Sequence, residues 1–216
     1  MIVVFSRPGR ETITAQTVHA LESHGGLHAT EAGNRWLFWI GLTPPPRLPI
    51  GWQCFALVRE PRGSVADFWE LLHTFPGEDL SVFEDDVLPC RNAAIYIERW
   101  DCATMTTFFN PHGHPVGSRR LSPTTGFVYS QAIKIPRAVA AKLRGADPSK
   151  LGVDHDVAIG IALNGEHVFY HRSLVEHVGL RRVDGKPCAP RPRYAPDYVG
   201  SEFDALSLMT GDGGSR

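Results

Sequence analysis

Strand-like and helix-like segments alternate through the N-terminal half of this chain, and that alternation leaves few folds open. Ile2 to Phe5 is a short apolar run, and Glu11 to His24 follows it with Ile13, Val18 and Leu21 at near-helical spacing and Gly25-Gly26 as a stop. This is a β-α unit. Trp36 to Leu42 and Trp52 to Val58 are rich in aromatic and branched residues and read as strands, separated by the breaker run Thr43-Pro44-Pro45-Pro46. Ser64 to His73 reads as a helix with Val65, Phe68, Trp69 and Leu72 on one face and Ser64 as its N-cap. Leu80 to Phe83 is the next strand, and Pro89 is expected in the first turn of a helix running through Ala93, Ala94, Ile97 and Trp100. The pattern predicts an α/β fold with a mixed central sheet flanked by helices.

The junction after Phe83 carries the chemistry. Glu84-Asp85-Asp86 are three consecutive carboxylates bracketed by Phe83 and Val87, so a buried strand ends where acids emerge. Ligand sites in α/β sheets favour such strand ends. Carboxylates there suit a hard cation such as Mg²⁺ or Mn²⁺, whose remaining positions diphosphate oxygens and water can fill. This points to metal-assisted chemistry on a phosphate-bearing substrate.

The second half has a different texture. Thr104 to Phe109 and Gly126 to Ile135 read as strands, Asn110 to Thr125 as an exposed loop, and Pro136 to Leu143 as a helix with Pro at its start. Asp154 to Leu163 reads as an acid-headed helix whose dipole favours those acids at its N-terminus. Val168 to Tyr170 is strand-like. From Arg181 the composition shifts to Pro, Arg, Asp and Gly, so the chain divides into a domain at residues 1–180 and a C-terminal extension at 181–216 whose end is expected to be disordered.

Composition excludes several classes. At 216 residues with mean hydropathy of −0.15, the chain suits one large core and contains no membrane span. The opening apolar run is cut short by Ser6, Arg7 and Arg10, well before the length of a signal peptide's apolar region. Cys54, Cys90, Cys102 and Cys188 are scattered without a CxxC pair, which argues against a disulfide framework and for a reduced, cytoplasmic setting. His112 and His114 are spaced too irregularly with Cys90 and Cys102 for a zinc site. Lys plus Arg number 22 against 23 Asp plus Glu, so no global field recruits nucleic acid. Locally, Arg181, Arg182, Lys186, Arg191 and Arg193 with Tyr194 and Tyr198 make a basic, aromatic stretch that suits a polyanion, or a tail packed back on the domain.

The segments Val3-Val4-Phe5-Ser6-Arg7-Pro8, Thr17-Val18-His19-Ala20-Leu21, Phe83-Glu84-Asp85-Asp86-Val87 and Ser173-Leu174-Val175-Glu176-His177-Val178-Gly179 together resemble nucleotide-sugar glycosyltransferases of the GT-A fold. That resemblance implies a single GT-A, Rossmann-like domain and a nucleoside-diphosphate sugar as donor. It makes the acidic triplet a DXD-type motif, with Asp86 as ligand of Mn²⁺ or Mg²⁺, Glu84 and Asp85 near the donor, and His177 as a further metal ligand. Ser6 and Arg7 would bind the nucleotide, and Arg59 or Arg62 the diphosphate. Asp156, or Asp154 in a shifted register, would be the base of an inverting transfer, although His155 stands where the family commonly has a glutamate. The acceptor is open among a small molecule, a glycan, a protein and a modified DNA base. A nucleotidyltransferase, or a non-catalytic domain of the same fold, are the rival readings.

Overall fold

The computed structural model describes residues 1–29, 34–122, 129–152, 154–178 and 195–211. Eight strands form one sheet in the order β3-β2-β1-β4-β8-β6-β9-β7. β1 (Ile2–Ser6), β2 (Arg35–Ile40), β3 (Gln53–Leu57) and β4 (Leu80–Glu84) run parallel. β8 (Ala132–Ile135) lies antiparallel to β4 and to β6 (Met105–Thr107). β9 (His167–Tyr170) runs parallel to β6, and β7 (Gly117–Arg120) closes that side antiparallel to β9. Helices α1 (Glu11–Ser23), α2 (Ser64–Thr74), α3 (Ala93–Arg99), α4 (Arg137–Arg144) and α5 (His155–Ala162) complete the layers, with a short α6 (Ser207–Gly211) near the end. The mixed sheet flanked by helices is the fold that the alternating pattern predicts.

Parallel strands covered on both faces need continuous apolar runs. Val3 and Val4 of β1, Leu37, Phe38 and Trp39 of β2, and Val82 and Phe83 of β4 are all buried. Trp36, Phe38 and Trp39 are therefore packing residues, as their composition suggests. Gly26 follows α1 at φ +88°, where a Cβ would fall 2.5 Å from Asn92 Oδ1, so glycine is needed for the close approach of α1 to α3.

Three local expectations fail for identifiable reasons. Pro89 belongs not to a helix but to β5 (Val87–Pro89), which pairs antiparallel with β10 (Val175–His177) in a separate two-stranded sheet. A strand partner 86 residues away in the register Pro89↔Val175 leaves no trace in local spacing. Ser64 does not cap α2, whose N-cap is Gly63 without a side-chain hydrogen bond; the Ser64 hydroxyl bonds His155 instead. The stretch read as one exposed loop contains β7, an edge strand whose Ser118, Arg119 and Arg120 are exposed and so lack apolar alternation. Residues 123–128, including the first part of the strand expected from Gly126, lie outside the described residues.

The later residues 195–211 return to the domain. Arg91 N donates to Ser201 O at 3.0 Å, Asn92 Nδ2 to Asp204 Oδ1 at 3.0 Å, and Ser173 Oγ to Asp197 Oδ1 at 2.7 Å, with Ala205 fully buried. The basic run through residues 181–194 lies outside the described residues. Among the described residues no helix is long and apolar enough to cross a membrane.

Candidate active site

The carboxyl ends of β1 and β4 lie side by side, with Phe5 in register with Glu84. Beyond them the acidic turn Asp85-Asp86 leads into β5, and the β5–β10 ladder sets His177 opposite Val87. Val178 N donates to Asp86 O at 2.8 Å, which locks the two segments together. His177 Nε2 thereby reaches within 3.1 Å of Asp86 Oδ2. This is how residues far apart in sequence meet.

Asp85 and Asp86 are both turned inward, at 5% and 3% exposure. Burial raises the Asp85 carboxyl to about 7, against the pull of Arg10 and the Ser6 hydrogen bond. Its Oδ2 accepts from Ser6 Oγ at 2.6 Å, and its Oδ1 lies 2.7 Å from Arg10 Nε. The same guanidinium pairs with Asp86 Oδ2. Beneath the turn, Thr17 Oγ1 is 2.8 Å from Asp85 O and 3.1 Å from Val87 O, and Thr14 Oγ1 is 2.6 Å from Ser6 Oγ. Ser6 and Asp85 thus hold one another in place. Asp86 Oδ1 and His177 Nδ1 are buried and have no hydrogen-bond partner among the described residues.

Glu84 faces a second group. Its Oε1 accepts from Ser130 Oγ and lies 3.2 Å from His155 Nε2, while Gln131 Nε2 is 3.3 Å from Oε2. Asp156 Oδ1 accepts from Ser130 N at 3.2 Å and from the Ser130 hydroxyl. A hydroxyl has one proton, so Ser130 donates to one carboxylate at a time while accepting from His155, whose Nε2 is 2.8 Å away. His155 stacks on Phe68 at 5.2 Å between centroids and meets Phe5 edge-on at 6.0 Å. Burial disfavours its charge, but the Glu84 hydrogen bond and the Asp156 charge outweigh that and lift it to about 9. Burial likewise opposes ionisation of Glu84, yet the His155 hydrogen bond and charge bring it down to about 2. Asp156 is raised to about 7, chiefly by burial.

The remaining expected residues divide. Asp154 is the N-cap of α5, accepting from Asp156 N, and its side chain is more than half exposed. Arg59 pairs with Asp67 at 3.0 Å, because a carboxylate buried in the first turn of α2 draws a cation to itself, and Arg62 pairs with the partly exposed Glu70 of the same helix. Both are engaged with α2 in this structure. Arg7 is half-buried in the β1–α1 turn and has no partner among the described residues. Arg10, Ser130 and Thr17 carry site roles that the sequence reading did not assign. Only Arg10 had a signal, as a second basic residue in Ser6-Arg7-Pro8-Gly9-Arg10. His155 fills the place of the missing glutamate and contributes a cation there.

Glu84, Asp86 and His177 each offer a ligand atom, all within 4.8 Å of one another. Two carboxylates with an imidazole, one oxygen of which is buried without a partner, suit a divalent cation. Glu84, His155 and Asp156 also converge within that span, but hydrogen bonds among themselves and to Ser130 already join them.

No family model and no curated protein matches the chain. Solved structures do. An active-site variant of LgtC, a galactosyltransferase, superposes with TM-score 0.50 at 13% identity over 80% of this chain and 73% of its own. TarS of S. aureus superposes with TM-score 0.51 at 11% identity in two structures, over 81% and 83% of this chain. The chain spans 58% of the shorter TarS structure and 36% of the longer. The neighbours are GT-A glycosyltransferases, and at such identities the likeness establishes the GT-A fold of this chain.

Proposed function

We propose that the chain is a metal-dependent glycosyltransferase that moves a sugar from a nucleoside-diphosphate sugar to an acceptor hydroxyl. The observation that carries this reading is the trio Glu84, Asp86 and His177 at the carboxyl edge of a GT-A sheet, with Asp86 Oδ1 buried and unpartnered. Asp86 and His177, with Glu84 beside them, would hold Mn²⁺ or Mg²⁺, which when bound offsets the charge of a departing nucleoside diphosphate. Arg7 would face the donor from the β1–α1 turn. Asp85 and Ser6 would keep the turn in shape, and Glu84 would remain ionised beside the donor because His155 holds its carboxyl low.

Asp156 is the base of this reading, in an inverting displacement. Burial places its carboxyl at about 7, near the pH at which a general base is most effective. It would take the proton of the acceptor hydroxyl as the oxygen attacks the anomeric carbon and the diphosphate leaves. Acceptors of four kinds fit this chemistry: a small molecule, a glycan, a protein or a modified nucleic-acid base. Thermal unfolding of the wild type and Asp86→Ala, with Mn²⁺ or Mg²⁺ and a panel of nucleoside diphosphates, tests the reading. A nucleotide that raises the midpoint of the wild type and not of the variant supports it. Equal shifts in both would remove Asp86 from the site, and hydrolysis of one nucleotide sugar among several would identify the donor.

A further inference from the structure

Arg10 belongs to the site, yet the transfer described above gives it no task. It stands at the start of α1, with Nε 2.7 Å from Asp85 Oδ1 and a terminal nitrogen on Asp86 Oδ2, and its side chain is 12% exposed. A guanidinium there occupies the oxygen that also receives His177 Nε2, while the other oxygen of Asp86 has no partner. Asp86 therefore already holds a resident cation. A divalent ion on the same carboxylate would sit within a few ångströms of a fixed positive charge, and that repulsion is strong where water is scarce.

We propose that Arg10 is an internal counter-ion that a divalent metal displaces from Asp86, and that the freed guanidinium then takes the diphosphate that arrives with the metal. This rests on the metal-diphosphate reading above. Three features support it. Without a cation, Asp85 and Asp86 would be two buried carboxylates in adjacent positions, so Arg10 keeps the turn folded before metal arrives. Arginine matches phosphate oxygens as well as carboxylate oxygens, so the exchange replaces one anionic partner with another. The residue also directly follows the exposed Gly9 at φ +82°, beside which there is open space, while Pro8 earlier in the turn packs on Gly41.

The thermodynamic consequence is coupling. Metal alone must break the Arg10–Asp86 pair and leave the guanidinium with Asp85 alone, whereas metal with diphosphate gives it a second anion in place of Asp86. Each ligand then strengthens the other by the same factor. Metal bound alone would be weak, and the site would fill only when donor is present.

Calorimetric titration of the metal-free full chain with Mn²⁺ alone tests this, followed by titration with pyrophosphate at saturating Mn²⁺. Arg10→Gln is expected to bind Mn²⁺ about tenfold tighter than wild type, roughly 1.4 kcal/mol, and pyrophosphate about tenfold weaker. Because Arg10→Gln strands two buried carboxylates, the double variant Arg10→Gln, Asp85→Asn removes one of those charges and provides the same comparison if the single variant is unfolded by circular dichroism. Mn²⁺ binding to Arg10→Gln or the double variant that is no tighter than to wild type overturns the counter-ion role. Asp86→Ala separates the two ideas. If Mn²⁺ binding needs Asp86 but ignores Arg10, only the counter-ion role fails. If wild type and Asp86→Ala bind Mn²⁺ alike, or neither binds it even with pyrophosphate present, the metal reading fails and this inference with it.

Discussion

His177 Nε2 lies 3.1 Å from Asp86 Oδ2, although the two residues are 91 positions apart in sequence. The β5–β10 ladder makes the meeting, and Phe109 packs edge-on against the His177 ring at 6.0 Å. His177→Ala would leave Asp86 with Arg10 as its remaining side-chain partner. Its Mn²⁺ affinity is expected to fall by at least about tenfold, roughly 1.4 kcal/mol, in a calorimetric titration. Unchanged affinity would exclude His177 as a ligand.

Thr17 holds the acidic turn from below through the carbonyls of Asp85 and Val87. Thr17→Val keeps the shape and removes the one hydroxyl proton that the two carbonyls share, leaving buried acceptors. The expected loss is about 1 to 3 kcal/mol in urea unfolding. A neutral result would mean that water reaches the turn.

Gly41 lies against the β1–α1 turn, where a Cβ would fall 2.0 Å from Pro8 Cγ. Gly41→Ala must push Pro8 outward and with it Arg7 and Arg10. A cost of about 1 to 3 kcal/mol is expected from overpacking, together with weaker nucleotide-dependent thermal stabilisation. Retention of both properties would show the turn to be freely mobile.

The charged groups of the site predict an unusual pH profile for the metal-free protein. Glu84, held at about 2 against an ordinary 4.5, contributes stability present above about 4.5 and lost as pH falls toward 2. Asp85 and Asp156, raised from 3.8 to about 7, keep their protons in the folded state, so stability declines as pH rises from about 4 to 7. His155, raised from 6.5 to about 9, contributes stability present below 6.5 and lost as pH rises through 9. Urea midpoints should peak in the acid range, near pH 4 to 5, and fall toward pH 9. Asp156→Asn should flatten the decline between about pH 4 and 7. A wild-type maximum above neutrality would contradict the charge arrangement.

Ser130 donates to Asp156 and holds its carboxyl below the value that burial alone would set. In Ser130→Ala the carboxyl loses that bond. The acid limb of kcat/KM, expected near pH 7 in the wild type, should move upward while circular dichroism stays unchanged. An unmoved limb would remove Asp156 from the role of base.

Local sequence determined the parallel half of the sheet, because buried strands and amphipathic helices write their periodicity into a few consecutive residues. β1, α1, β2, β3, α2 and β4 all stand where the spacing of apolar residues placed them. The acidic triplet was legible for the same reason, since polar residues interrupt an apolar run at Glu84. What the tertiary structure alone decided is which charge meets which. Pro89 lies in a strand because β10 pairs with it, Ser64 bonds His155 from 91 residues away, and Arg59 turns to α2 because Asp67 is buried there, with Arg62 on Glu70 of the same helix. The three carboxylates share one short stretch of sequence, yet Glu84 faces His155, Asp85 faces Ser6 and Arg10, and Asp86 faces Arg10 and His177. A carboxylate's role depends on its burial and on the cations within a few ångströms, and neither quantity exists until the strands have closed around it.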